Sequence, residues 1–144
     1  MPGQIMHAII RALDRLQPKD TRSAHLRTGA AGEDAAYWHL RSLGYVMVAR
    51  NWRSPRRRGE LDIIGWEGDT LCFIEVKTRT ARDLFPAEMA VDLEKRRDLR
   101  AIAREYRRHL KTQPECRFDV VSVYLMPGKE ADITLMRDAF PMAE

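Results

Sequence analysis

Cysteine, clustered histidine and long apolar runs are all scarce in this chain of 144 residues. Cys72 and Cys116 stand far apart with no Cys-x-x-Cys pair. They read as reduced core thiols of a cytosolic protein rather than as a disulfide framework. His7, His25, His39 and His109 are scattered, and no two of them have the spacing of a zinc site. No apolar stretch approaches the roughly 18–20 residues of a membrane span. Arg11, Asp14 and Arg15 break up Met1–Leu16, where a signal peptide needs an uninterrupted apolar segment. The expected compartment is therefore the cytoplasm, with no membrane partner. Neither GxxxxGK[ST] nor GxGxxG occurs, which sets nucleotide cofactors aside. No repeat or low-complexity segment interrupts the chain.

What is abundant is positive charge in clusters. The net charge is only +4, with 44% hydrophobic and 32% charged residues, the composition of one globular domain. Arg50, Arg53, Arg56, Arg57 and Arg58 nevertheless fall close together. Lys95, Arg96, Arg97, Arg100, Arg104, Arg107, Arg108 and Lys111 form a second cluster. Such clusters suggest a polyanionic partner. The plainer alternative for the second is a solvated helix face, which Glu94, Asp98 and Glu105 partly support.

Apolar periodicity outlines the elements. Ile5, Met6, Ile9, Ile10, Leu13 and Leu16 recur at helical spacing, and Pro18 ends that helix. A polar connector, Thr21–Thr28, follows, so residues 1–26 read as an N-terminal helix with its linker. Residues 27–144 carry the main domain. A second helix is expected from about Ala30 to Leu43, stopped by Gly44. Its inward stripe includes Glu33; the alternative there is a first-turn glutamate complementing the helix dipole. Gly29 and Gly32 suggest a close backbone approach near Glu33. Tyr45–Arg50 reads as a strand, and Arg53–Gly59 as a basic loop with little apolar area to anchor it. Glu60–Trp66 and Thr70–Thr78 read as a hairpin. A long helix is bracketed by Pro86 and Leu110, with Leu99, Ile102, Ala103 and Tyr106 on one stripe. Phe118–Leu125 is a further strand, and Asp132–Met136 a short edge strand. This alternation predicts an α/β fold, a mixed sheet flanked by helices.

The hairpin carries the chemistry. Asp62 lies in one apolar run, and Glu75 and Lys77 lie in the next. Glu67-Gly68-Asp69 is a turn signal between them. Side chains alternate along a strand, so Glu75 and Lys77 share a face that Asp62 can meet across the pair. Acids in such runs need a counter-ion or a metal. Two carboxylates and a lysine suit Mg²⁺-assisted phosphodiester hydrolysis. The alternative is a cross-strand ion pair worth about 0.2–1 kcal/mol. The three groups are expected to converge at one edge of the sheet. Lys95 ends the Leu99–Tyr106 stripe and is expected to aim at the same place, the alternative being a lysine that snorkels to solvent.

Gly32-Glu33, Gly59-Glu60-Leu61-Asp62 and Glu75-Val76-Lys77-Thr78-Arg79 resemble the motifs of the PD-(D/E)XK nuclease superfamily. Asn51-Trp52-Arg53 and Arg117-Phe118-Asp119-Val120-Val121 add a closer resemblance to the YraN-like bacterial family. That group is similar to Holliday junction resolvases. The resemblance covers roughly residues 27–137 and leaves the N-terminal helix outside. It implies a restriction-endonuclease-like core in which Asp62, Glu75 and the Val76 carbonyl hold Mg²⁺ or Mn²⁺. Lys77 would orient or activate water, and Glu33 would be an accessory acid on the first helix of that core. Leu61 stands where the superfamily often has proline. The implied partner is DNA, including branched DNA, gripped by Arg53, Arg56, Arg57, Arg58, Arg79 and Lys95. A resolvase needs two active sites and hence a two-fold dimer. The competing reading is a non-catalytic nucleic-acid-binding protein that keeps the fold; a weaker third is a protein adaptor working through the N-terminal helix.

Overall fold

A computed structural model describes residues 24–80 and 91–143. The amphipathic segment Ile5–Leu16 and Pro86 lie outside those residues. Within them the order is α1 (Ala24–Ser42), β1 (Val46–Trp52), β2 (Leu61–Glu67), β3 (Thr70–Thr80), α2 (Leu93–Arg108), β4 (Cys116–Leu125) and β5 (Asp132–Phe140). The strands form one sheet in sequence order, β1-β2-β3-β4-β5. Every neighbouring pair is antiparallel except β3 and β4. That parallel pair requires a crossover, which contains α2. The result is a mixed sheet with a helix packed on each face, a restriction-endonuclease-like α/β fold.

Period-two alternation divides the core. Leu71, Phe73, Phe118 and Val120 face Leu99, Ile102 and Ala103 of α2. Cys72, Ile74, Val76, Val121 and Val123 pack with Ala36 and Leu40 of α1. Both sides of β3 are thus covered, which is why its sequence reads as an almost unbroken apolar run.

Several boundaries differ from the sequence reading. Helix α1 begins at Ala24, so the end of the expected polar connector is helical. Its last turn closes as expected at Gly44, whose φ is +96°. Tyr45 N–H donates to the Leu40 carbonyl at 3.1 Å, and Gly44 N–H to that of Arg41 at 3.0 Å, the pattern of a Schellman stop. Leu43, placed on the inward stripe, is instead exposed. Helix α2 starts at Leu93, not near Pro86, because Asp92 caps it: its Oδ1 accepts from Lys95 N–H at 2.8 Å. Strand β5 runs past Met136 to Phe140. A register shift opposite Phe118–Val120 and a left-handed Asp138, φ +52°, let it continue. Asp138 N–H then bonds Asp119 Oδ1 at 3.0 Å, and Phe140 stacks on Phe118.

Candidate active site

Hairpin β2–β3 turns through Gly68-Asp69, with Glu67 opposite Thr70 and a left-handed Gly68. The register runs to Ile63 opposite Ile74. Asp62 and Glu75 follow next, and Glu75 meets Lys95 of α2. Ladder pairing stops there, and the Asp62 side chain takes over: Oδ2 accepts from Val76 N–H at 2.9 Å. These acids lie on the inner strands, where the hairpin opens. The expectation of a site at a sheet edge is corrected accordingly.

Both carboxylates are buried, Asp62 7% and Glu75 5% exposed. Lys77 Nζ lies 3.3 Å from Glu75 Oε1, and Lys95 Nζ lies 3.4 Å from the same oxygen. These separations describe ion pairs rather than short charge-assisted hydrogen bonds. Glu75 Oε2 is buried with no hydrogen-bond partner among the described residues. Lys95 therefore aims at the acids instead of snorkelling away from them.

Glu33 arrives from α1. Because the helix starts at Ala24, Glu33 is well inside it and not in its first turn, which removes the dipole explanation. Gly32 sets the approach: a Cβ there would overlap the Thr78 side chain of β3. Gly29 makes no such contact, since nothing lies near its missing Cβ. Carboxylate oxygens of Glu33, Glu60 and Asp62 lie within 4.8 Å of one another.

Glu60 belongs to a sequence motif, but only the structure makes it a site residue. The signal exists in the sequence, because a residue two before Asp62 on an extended run shares its face. Asn51 likewise emerges only from the fold. It is left-handed, φ +51°, a conformation asparagine tolerates better than most residues. With its amide nitrogen turned toward the acids, it donates to Glu33 Oε2 at 3.0 Å and Glu60 Oε1 at 3.2 Å. Arg53 pairs with Glu60 Oε2 at 2.9 Å. Trp52, between them, meets Tyr106 of α2 edge-on. The Asn-Trp-Arg run thus binds acid, core and acid in succession.

The electrostatics are those of crowded carboxylates. Burial first, and the charge of Glu75 second, push the Asp62 carboxyl up to about 8, against the Val76 N–H that pulls it down. Burial and then Glu60 raise Glu33 as well. Oxygen-only donors, a buried carboxylate oxygen without a partner and mutual repulsion fit a hard divalent cation.

The other expected site residues fall elsewhere. Val76 brings its backbone to Asp62 while its side chain joins the α1-side core. Arg79 lies further along β3, its buried Nε without a hydrogen-bond partner among the described residues. Arg56, Arg57 and Arg58 are exposed in the loop after β1. That loop is anchored, contrary to expectation. Ser54 is buried, its Oγ donates to Glu105 of α2, and Arg57 Nε lies 3.4 Å from the same carboxylate. Arg117 and Asp119 form a separate network. Arg117 binds Asp119 at 2.7 Å and Glu67 at 2.8 Å, while Tyr45 donates to Asp119 at 3.0 Å.

Residues 32–123 match the family described as Uncharacterised protein family UPF0102, the YraN family. A UPF0102 protein of Koribacter versatilis is 52% identical over 131 residues, which is 91% of each chain. One from Solibacter usitatus is 44% identical over 133 residues, 92% of this chain and 97% of its own. A Rhodococcus opacus UPF0102 protein is 41% identical over 117 residues, 81% of this chain and 98% of its own. Among the described residues no helix is long and apolar enough to cross a membrane.

Proposed function

We propose that this chain, which belongs to the UPF0102 family, is a metal-dependent endonuclease that hydrolyses phosphodiester bonds in DNA, with branched DNA as its preferred substrate. Membership of the family assigns no reaction, so the reading rests on the site. The observation that carries it is Glu75: buried, one oxygen facing two lysines and the other facing nothing, amid three further acids. A protein that only binds nucleic acid gains nothing from acids held this way, and they repel phosphate.

Asp62, Glu75 and the Val76 carbonyl would hold Mg²⁺ or Mn²⁺. When bound, such an ion lowers the pKa of water and neutralises charge on the phosphate. The chain's own groups account for the rest. Lys77 is a compact cation on the same face as Glu75 and is placed to orient the attacking water. In the reaction the water oxygen bonds to phosphorus, one ester P–O bond breaks, and the leaving oxygen is protonated. Lys95, on the other side of Glu75 Oε1, is placed to stabilise the charge that grows on the phosphoryl oxygens. Glu33 and Glu60, tied by Asn51, set the acid content at the site mouth. Arg53 and the Arg56–Arg58 run would hold the sugar-phosphate backbone, contacts that carry no sequence information. A branched substrate calls for paired incisions and hence for a two-fold dimer in the complex.

The test is cleavage of branched, single-stranded and duplex DNA with Mg²⁺ or Mn²⁺, beside an Asp62→Asn control. Metal-dependent cutting that the control lacks is expected, strongest on the branched substrate. Calorimetry adds an independent readout: weak Mn²⁺ binding that Glu75→Ala abolishes. Equal Mn²⁺ binding in both proteins would refute the ligand role, and binding of DNA without cutting under every condition would leave the non-catalytic alternative.

A further inference from the structure

We propose that the far end of α2 is a second anchoring site for a nucleic-acid backbone, a cleft in which Arg104, Arg107, Arg108 and Gln113 hold phosphate away from the acids. It rests on the nucleic-acid part of the reading above and is independent of cleavage. At 1.5 Å rise per residue, Arg107 lies about 18 Å along the helix from Lys95.

Helix α2 has three faces. Leu99, Ile102 and Ala103 are buried. Glu94, Asp98 and Glu105 fall on a second face, and Glu105 holds the basic loop through Ser54 and Arg57. The arginines fall on the third. Those nearer the N-terminus serve the fold. Arg96 and Arg100 lie over the Phe140 ring at 5.3 and 5.7 Å, and their Nε atoms donate to the carbonyls of Val91 and Pro141. The three toward the C-terminus do not. Among the described residues Arg104, Arg107 and Arg108 have no acidic partner. Together with Gln113 they line an open cleft of about 280 Å³. Arg107 Nε is buried there with no hydrogen-bond acceptor among the described residues.

Complementing the helix dipole is the simplest role for Arg107 and Arg108. It explains a positive charge in the last turn, but not a buried donor left unused. Nor does it explain Arg100, Arg104 and Arg108 at successive i, i+4 positions, a spacing at which like charges weaken a helix. A phosphate answers both, since guanidinium forks match its oxygens and the Gln113 amide, which already donates to the Arg107 carbonyl at 3.2 Å, has a second N–H to add. A polymer fits better than a single anion. The loop with Arg56–Arg58 adjoins the same helix through Glu105, so positive charge continues from one element to the next. The span from Lys95 to Arg107 equals about five phosphates per strand of duplex, at 3.4 Å each.

The experiment is fluorescence anisotropy of the full chain with a labelled duplex in EDTA, between about 50 and 200 mM KCl. An Arg104→Gln/Arg107→Gln/Arg108→Gln variant should lower the log–log salt slope by about 2.7, which is about 0.9 for each phosphate no longer neutralised. Arg104→Gln alone, at an exposed position, should lower it by about 0.9 while leaving the melting temperature unchanged. A slope unchanged in both variants overturns the proposal. So does a single variant that melts well below wild type, which would make Arg104 a structural residue. Binding of polyglutamate in preference to duplex would assign the cleft to acidic peptides and also overturn it. EDTA keeps cleavage out of the measurement, so a wild-type chain that cuts no DNA with Mg²⁺ or Mn²⁺ yet still shows the arginine effect would sink only the nuclease reading.

Discussion

Two groups of acids flank the β2–β3 hairpin, and they are held in contrasting ways. At its turn end, Glu67 and Asp119 are fully engaged. Arg117 bridges them, Arg137 binds Glu67, and Tyr45 and Asp138 N–H donate to Asp119. At the open end, Glu33, Glu60, Asp62 and Glu75 crowd together, with fewer cations per acid and a buried oxygen left over. The acidity of the groups follows the pairing. Hydrogen bonds from Arg137, then Arg117, pull Glu67 down to about 2, whereas burial and Glu75 push Asp62 up to about 8. The first arrangement ties strands together. The second is paid for by the rest of the fold, the pattern of a functional rather than a purely structural cluster.

The sharpest way to break the contrast is to remove a partner from the satisfied side. Asp119→Ala leaves the mostly buried Arg117 with only Glu67 and Tyr45, takes away the acceptor of Asp138 N–H, and should cost about 3 kcal/mol in urea denaturation. The matching change at the open end should go the other way. Asp62→Asn removes a charge from the crowd and should raise the stability of metal-free protein by about 0.5–2 kcal/mol at alkaline pH, while cleavage falls to background. A destabilised Asp62→Asn protein would place Asp62 among the structural acids.

The two ends should also respond oppositely to pH. Asp62 keeps its proton in the folded state up to about pH 8, while the unfolded chain releases it near 3.8. Between those values the folded state binds more protons, so the Asp62 contribution to stability falls as pH rises. Glu67 is the reverse. Its contribution is complete above its ordinary 4.5 and is lost as pH drops toward about 2. Denaturation of metal-free protein across both windows should show the slope between about pH 4 and 8 flattened in Asp62→Asn and the slope below pH 4.5 flattened in Glu67→Gln. A smaller effect belongs to Lys95. Lys95→Met should lower the cleavage rate much more than substrate affinity, because its charge matters most as the transition state forms. Unchanged kinetics would return Lys95 to a surface role.

Much of this is legible in the sequence. Alternation places Glu75 and Lys77 on one face, the Gly68 turn sets the register, and Gly44 marks a helix end. Glu60 and Asn51 escape for different reasons. Glu60 lies just outside β2, beyond the apolar pattern that draws attention to Asp62. Asn51 acts through a left-handed backbone that no periodicity announces. The anchored loop is hidden because its fastening is one serine to one glutamate about fifty residues on, a contact with no local signature. The length of β5 depends on a register shift and on Asp138, both of them tertiary effects.

Strand β3 has one more consequence, which concerns time rather than energy. It is central, bonded to β2 from Thr70 through Ile74 along one side and to β4 from Leu71 through Thr80 along the other. A strand held on both sides exchanges its amide hydrogens only when the sheet opens as a unit, so it belongs to the slowest class of local opening. Glu75 follows directly on that doubly held stretch, paired with Val120 of β4 and next to the Val76 N–H that bonds Asp62, so the repulsion there is not relieved by fraying as it would be at a terminus. If the proposed ion binds, metal-free protein should already hold its carboxylates in place, and binding should cause little reordering of the backbone beneath.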